Sequence, residues 1–308
     1  MSAEVDWPAE AARAALLRWA GLDAARRRLS WTGGTTEAIE GGAGPRALFL
    51  HGGLSDAGAW VPLLARLEGV RAIAVDLPGH GLADPWDFRS EPIVDTGVRF
   101  LTDVIDALGT VRIPVVASSM GALMAVHLAL RAPERIERLI VVGAPAGSSR
   151  HLPAVYRSLT WPIVGDVMRG RMAHADVDGA RWLHRHVLVA HPGHLNVTFL
   201  ASVAAMSRRN AESHASLAAA AFRPTGLTPS LVLNGRWRDV RAPVTFVWGE
   251  RDAIDGPSRG RAIAAGLAGA SFVEIPDAGH LPWLDRPDEV ATAIADALVA
   301  GSLVEAVS

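Results

Sequence analysis

The chain has 308 residues, half of them apolar, with 20% charged residues and a formal net charge of −2. That is enough to bury one large core or two linked ones. The near-neutral balance, with no stretch of concentrated positive charge, excludes a phosphate-tracking nucleic-acid protein. The lack of cysteine excludes disulfides, thiolate metal sites and a cysteine nucleophile. Every basic residue is arginine, a bias expected of a GC-rich bacterial genome, so arginine abundance carries no functional weight.

Residues 1–20 mix Glu4, Asp6, Glu10, Arg13 and Arg18 with apolar side chains. They show neither a basic leader with an apolar core nor a bilayer-length apolar run, which predicts a soluble, cytoplasmic chain with no membrane partner. Residues 8–20 read as an amphipathic helix, with Leu16, Leu17 and Trp19 near one side and arginines on the other. A hairpin is expected over 29–39, its two runs separated by Gly33-Gly34.

From residue 47 the pattern becomes regular. Strands are expected at 47–50, 70–75, 113–117 and 139–142, with helices at 57–67, 94–108 and from Ser119 onward. Short apolar runs alternating with helices signal α/β architecture, a mostly parallel central sheet covered by helices on both faces. The alternation breaks over residues 146–228, where prolines, arginines and helical stretches at 180–190 and 196–221 suggest a mainly helical insertion. Strands resume at 244–248 and 271–275, and a helix over 287–300 closes the pattern.

In such sheets reactive groups collect at the carboxyl ends of strands. The strand ending at Ala117 meets a helix at Ser118-Ser119-Met120-Gly121. A sharp strand-to-helix turn exposes its central side chain and closes only if its neighbours are small. Ser119, with Ala117 two before it and Gly121 two after it, meets that condition. Ser118 does not. A serine needs a base, and the base is best held by an acid. Asp252 and His280 follow two later strands, those at 244–248 and 271–275, giving the order Ser, Asp, His, with Asp255 and Asp277 close enough in sequence to compete as the acid.

On these motifs, together with His51-Gly52-Gly53 and Asp76-Leu77-Pro78-Gly79-His80-Gly81, the chain resembles the α/β-hydrolase fold superfamily, in its serine-nucleophile branch. Ala117 replaces the glycine usual in that elbow. The resemblance covers residues 29–145 and 240–300. It implies an N-terminal helical extension over 1–28, a core of 29–145 and 229–308, and a helical cap over 146–228. It further implies Ser119 as nucleophile, His280 as general base and then acid, Asp252 as its orienting group, and the Gly53 and Met120 amides as the oxyanion hole. Asp76, His80 and His51 are expected to organise loops. Leu54, Trp248, Leu281 and Trp283 are expected to line the substrate pocket.

The histidines of the insertion (His174, His184, His186, His191, His194 and His214) lack the spacing of a zinc site, so neither metal nor cofactor is expected. The activity implied is serine hydrolysis of a small, mostly apolar ester, thioester or related acyl substrate through an acyl-enzyme. Hydrolysis of a carbon–carbon bond, biosynthetic acyl transfer or cyclisation, and ligand binding with little turnover stand as alternatives. The expected partner is a small-molecule substrate, and oligomeric state is left open.

Overall fold

The computed structural model describes residues 7–299. Eight strands make the central sheet: β1 (Ala24–Trp31), β2 (Gly34–Gly41), β3 (Arg46–Leu50), β4 (Arg71–Val75), β5 (Ile113–Ala117), β6 (Ile136–Val142) and, after a small hairpin of β7 (Phe222–Arg223) and β8 (Gly226–Leu227), β9 (Val244–Gly249) and β10 (Ser271–Ile275). Their order is β1-β2-β4-β3-β5-β6-β9-β10. The β1–β2 and β2–β4 pairs are antiparallel, and from β4 onward every pair is parallel.

Successive side chains of the central strands enter two different cores. Leu48, Leu50, Val115, Leu139 and Phe246 pack on one face, against α3 (Ile93–Ala107) and α4 (Ser119–Arg131). Phe49, Val116, Ile140 and Val247 pack on the other, with α1 (Ala9–Ala20), α2 (Val61–Leu64) and a C-terminal helix over Pro287–Val299. Both faces are covered, so these strands read as continuous apolar runs rather than as an alternation.

Three expectations for the N-terminal part need correction. Residues 24–28 are not part of a helical extension. α1 stops at Gly21, whose left-handed φ of 63° closes the helix, and β1 starts at Ala24. Arg26, Arg27 and Arg28 hid this strand because it is an edge, where exposed charge is favoured; Arg26 reaches Glu37 and Arg27 reaches Glu40 on β2. The hairpin turn is Thr32-Gly33, one residue earlier than expected, with Trp31 paired to Gly34. On α1 the arginines do not all face solvent. Arg13 is fully buried and Trp19 is 42% exposed.

Between β6 and β9 lie α5 (Ala154–Ser158), α6 (Val164–Ala173), α7 (Val177–Leu183), α8 (Val197–Arg209) and α9 (Ala211–Ala221). The helix expected over 196–221 is two. They are broken at Asn210, whose side-chain amide donates to the Gly81 and Met206 carbonyls. α10 (Pro257–Ala265) links β9 to β10, and α11 (Pro282–Asp285) precedes α12 (Pro287–Val299). No helix among the described residues is long and apolar enough to cross a membrane.

Candidate active site

Ser119 opens α4 with a φ of 47°, a left-handed conformation that costs a non-glycine residue roughly 1–3 kcal/mol. Gly121 is what lets the turn sit this close to β3. A Cβ there would stand 2.6 Å from the His51 carbonyl, which instead accepts the Gly121 N–H at 3.1 Å. Ala117 is wholly buried and fits where the resemblance would place glycine. Ser119 itself is only partly buried.

His280 and Asp252 are both buried, and they meet. The His280 Nδ1–H donates to Asp252 at 2.9 Å (Oδ2) and 3.1 Å (Oδ1). This leaves Nε2 as the free ring nitrogen. Asp252 is fixed in turn by the Ala144 and Ile254 amides, each at 2.8 Å. The turn after β6 ties Asp252 and Ser119 together, since Ala144 donates to Asp252 and Ala146 donates to the Ser119 carbonyl at 3.0 Å. Asp255 is spent on Ser148 and Asp277 on His191, Arg251 and Arg286, so neither competes for His280.

The Gly53 and Met120 amides meet no acceptor among the described residues. The loop carrying Gly53 is held by two neutral histidines. His51 donates from Nδ1 to the Gly52 carbonyl and accepts the Leu77 N–H at 2.9 Å. His80 donates to the Pro78 carbonyl and accepts the Leu54 N–H at 3.2 Å. Burial holds His51 down to about 4 and His80 to about 3, so both stay uncharged. Asp76 binds the Ala57 and Leu82 amides, and a Cβ at Gly81 (φ 54°) would collide with its carboxylate. These three residues organise loops, as their positions suggested.

Some site residues left no trace in the sequence pattern. Arg13, from α1, reaches Glu37, Asp56 and Asp76 at 3.0–3.1 Å inside the protein. Asp285 accepts the Gly279 amide, one residue before His280, and also the Ala190 and His191 amides. It thereby ties the His280 loop to the chain after α7. Tyr156, the only tyrosine, lies on α5, partly buried, and its phenol is pushed up by desolvation and then by the Asp252 carboxylate.

Of the expected pocket residues, Leu54 is half-buried with a φ of 61°. Leu281 is buried, and its amide donates to the Leu188 carbonyl. The two tryptophans are core instead. Trp248 packs between Phe246 and Phe272 and donates to the Asp255 carbonyl. Trp283 stacks on Trp60 at 4.1 Å and donates to Ala59. A buried indole whose N–H is satisfied inside a packed cluster fills volume. Leu217 of α9 takes a place over the site that the sequence did not assign, 3.4 Å from where a Cβ on Gly53 would stand. Among the described residues no group of three metal-binding side chains could hold an ion.

The fold and this arrangement define a hydrolase-type α/β enzyme. The sequence profile of the alpha/beta hydrolase family matches residues 47–293, and the chain belongs to that family. It is similar to the pimeloyl-[acyl-carrier protein] methyl ester esterase of Chromobacterium violaceum, 28% identical over 277 residues, covering 83% of this chain and 95% of that one. It is also similar to the 2-hydroxy-6-oxononadienedioate/2-hydroxy-6-oxononatrienedioate hydrolase 2 of Pseudomonas putida, 24% identical over 239 residues, covering 76% of this chain and 80% of that one. Among solved structures, carboxylesterase CesB of Bacillus subtilis shares the fold with a TM-score of 0.77 at 21% identity, over 95% of this chain and 98% of the other.

Proposed function

We propose that this protein is a serine ester hydrolase acting on small, mostly apolar esters or thioesters through an acyl-enzyme. The observation that carries the proposal is the buried His280–Asp252 pair at 2.9 Å, joined through the Gly143–Ala146 turn to a serine held at φ 47°. Ser119 Oγ attacks the carbonyl carbon while its proton passes to His280 Nε2, and the Gly53 and Met120 amides receive the oxyanion. Collapse breaks the bond to the alkoxide or thiolate, which leaves with the proton from His280. Water then attacks the acyl-enzyme with His280 again as base, and the acid departs. The helices between Ala154 and Ala221 act as the cap, with Leu217 over the oxyanion loop.

The relative from Chromobacterium violaceum favours esters. The one from Pseudomonas putida keeps carbon–carbon bond hydrolysis as a second reading, since the substrates in its name are a hydroxy-oxo-dienedioate and a hydroxy-oxo-trienedioate. A fluorophosphonate probe followed by mass spectrometry tests the nucleophile: an adduct on Ser119, absent in Ser119→Ala, is expected. No adduct together with no hydrolysis of p-nitrophenyl butyrate would overturn the reading. Turnover of a vinylogous 1,5-diketone acid with no ester turnover would select the second.

A further inference from the structure

A cavity of about 270 Å³ opens at the far end of α4, away from Ser119. His127 and Arg131 line it from α4, the first turn of α3 from a second side, Ala220 from the last turn of α9, and Leu231 and Arg236 from the segment that follows it. His127 lies eight residues from Ser119, about 12 Å along the helix.

Four features of this cavity converge on one ligand chemistry. Arg236 has no acidic partner among the described residues. His127 is 2% exposed, and its Nδ1 has no hydrogen-bond partner. α3 begins at Ile93, behind Pro92 and with no side-chain cap, and the Ile93 and Val94 amides meet no acceptor among the described residues. Phe88, Ala220 and Leu231 supply apolar wall. A helix start with open amides favours an anion, and a buried unpartnered imidazole nitrogen calls for a polar group beside it.

Charge counting narrows the class. Asp95 and Arg131 neutralise each other at 2.6 Å. Burial, and then the neighbouring Arg236 and Arg131 guanidiniums, hold His127 down to about 4, so it is neutral near pH 7. One net positive charge is left, on Arg236. We infer that this cavity is a binding site for a small monocarboxylate with an apolar body, seated on Arg236, His127 and the start of α3. A dianion such as phosphate would leave one charge uncompensated and meet apolar wall. An acid of this kind has the chemistry of the product released under the proposed ester hydrolysis, but the site itself does not depend on that reading.

Benzoate titrated by calorimetry into enzyme pretreated with a fluorophosphonate, so that the active site is occupied, tests the inference. One mole per mole is expected to bind, at least about tenfold more weakly to Arg236→Met. Ala220→Phe, which fills the cavity from the other wall, should abolish binding without touching the charges. No binding, binding indifferent to both variants, or equal binding of benzyl alcohol would overturn the inference. Inorganic phosphate binding more tightly than benzoate would overturn the ligand class. If no adduct forms on Ser119 and p-nitrophenyl butyrate is not hydrolysed, the hydrolase reading fails by those measurements, while the benzoate titration of the untreated enzyme still judges the cavity through Arg236→Met and Ala220→Phe.

Discussion

Arg13 and Asp76 meet at 3.1 Å with neither side chain reached by solvent. One guanidinium also serves Glu37 and Asp56, so three carboxylates converge on a single cation, with Arg26 assisting Glu37. Burial and the neighbouring Asp76 charge push Asp56 up to about 6, whereas Asp76, with Arg13 and two amides on it, is held below the ordinary carboxylate range. Removing the cation strands buried negative charge, which typically costs about 3–5 kcal/mol. Arg13→Met is therefore expected to lower the unfolding free energy, read from urea titration, by that amount. Adding Asp56→Asn should recover part of the loss, because the two changes act on one network. A double variant no more stable than Arg13→Met would show that Asp56 does not depend on Arg13.

The Asp252 carboxylate fixes the His280 tautomer through Nδ1. Asp252→Asn preserves the shape but can present an N–H to that nitrogen, turning the imidazole to the wrong tautomer. In a serine protease the corresponding change lowers kcat about 10⁴-fold. A fall of about 10³-fold or more in kcat for p-nitrophenyl butyrate is expected here, with KM and the melting temperature little changed. Asp255→Asn and Asp277→Asn, whose carboxylates face Ser148 and His191, should retain most activity. Equal losses in all three would mean that the acid is not Asp252.

The placing of Ser119, Asp252 and His280 was legible because each follows a strand, and each strand is a short apolar run that announces itself. Arg13 was not legible, since its partners come from β2, the loop after β3 and the end of β4, and no local pattern records a four-way meeting. Asp285 was silent for a different reason. It binds backbone amides, which every residue carries. The edge strand β1 was misplaced because three consecutive arginines mask its period. The tryptophans were misassigned because proximity in sequence to Asp252 and His280 says nothing about which face of the layer a ring enters.

Gly121 sits where β3 and α4 come nearest, with the Leu50 side chain and the His51 carbonyl both under 3 Å from any added Cβ. Gly121→Val must push the start of α4 away from the loop that carries Gly53. The expected result is loss of fluorophosphonate labelling at Ser119 together with a drop in stability of about 1–3 kcal/mol from overpacking. At Gly109, where a Cβ would meet nothing but φ is 68°, Gly109→Ala should cost stability without changing the labelling rate. Equal labelling by both variants would show that the elbow tolerates a side chain at Gly121.

Several imidazoles are buried without charge. Desolvation holds His51, His127 and His184 down to about 4, His80 to about 3, and His214 well below its ordinary value, with the His80 ring tilted against it at 4.9 Å. The folded values lie below the unfolded one, near 6.5, so between those limits the unfolded chain binds more protons than the native one. Stability is then fully present above about pH 6.5 and lost as pH falls toward 4, with a slope that grows with the number of such groups. The urea midpoint should drop steeply across that window, before most carboxylates titrate. His184→Gln keeps a donor for the Ala180 carbonyl that His184 now bonds at 2.8 Å, and it should lessen the slope by one group's share. A midpoint constant from pH 6.5 to 4 would mean that these rings take up their protons inside the fold without opening it.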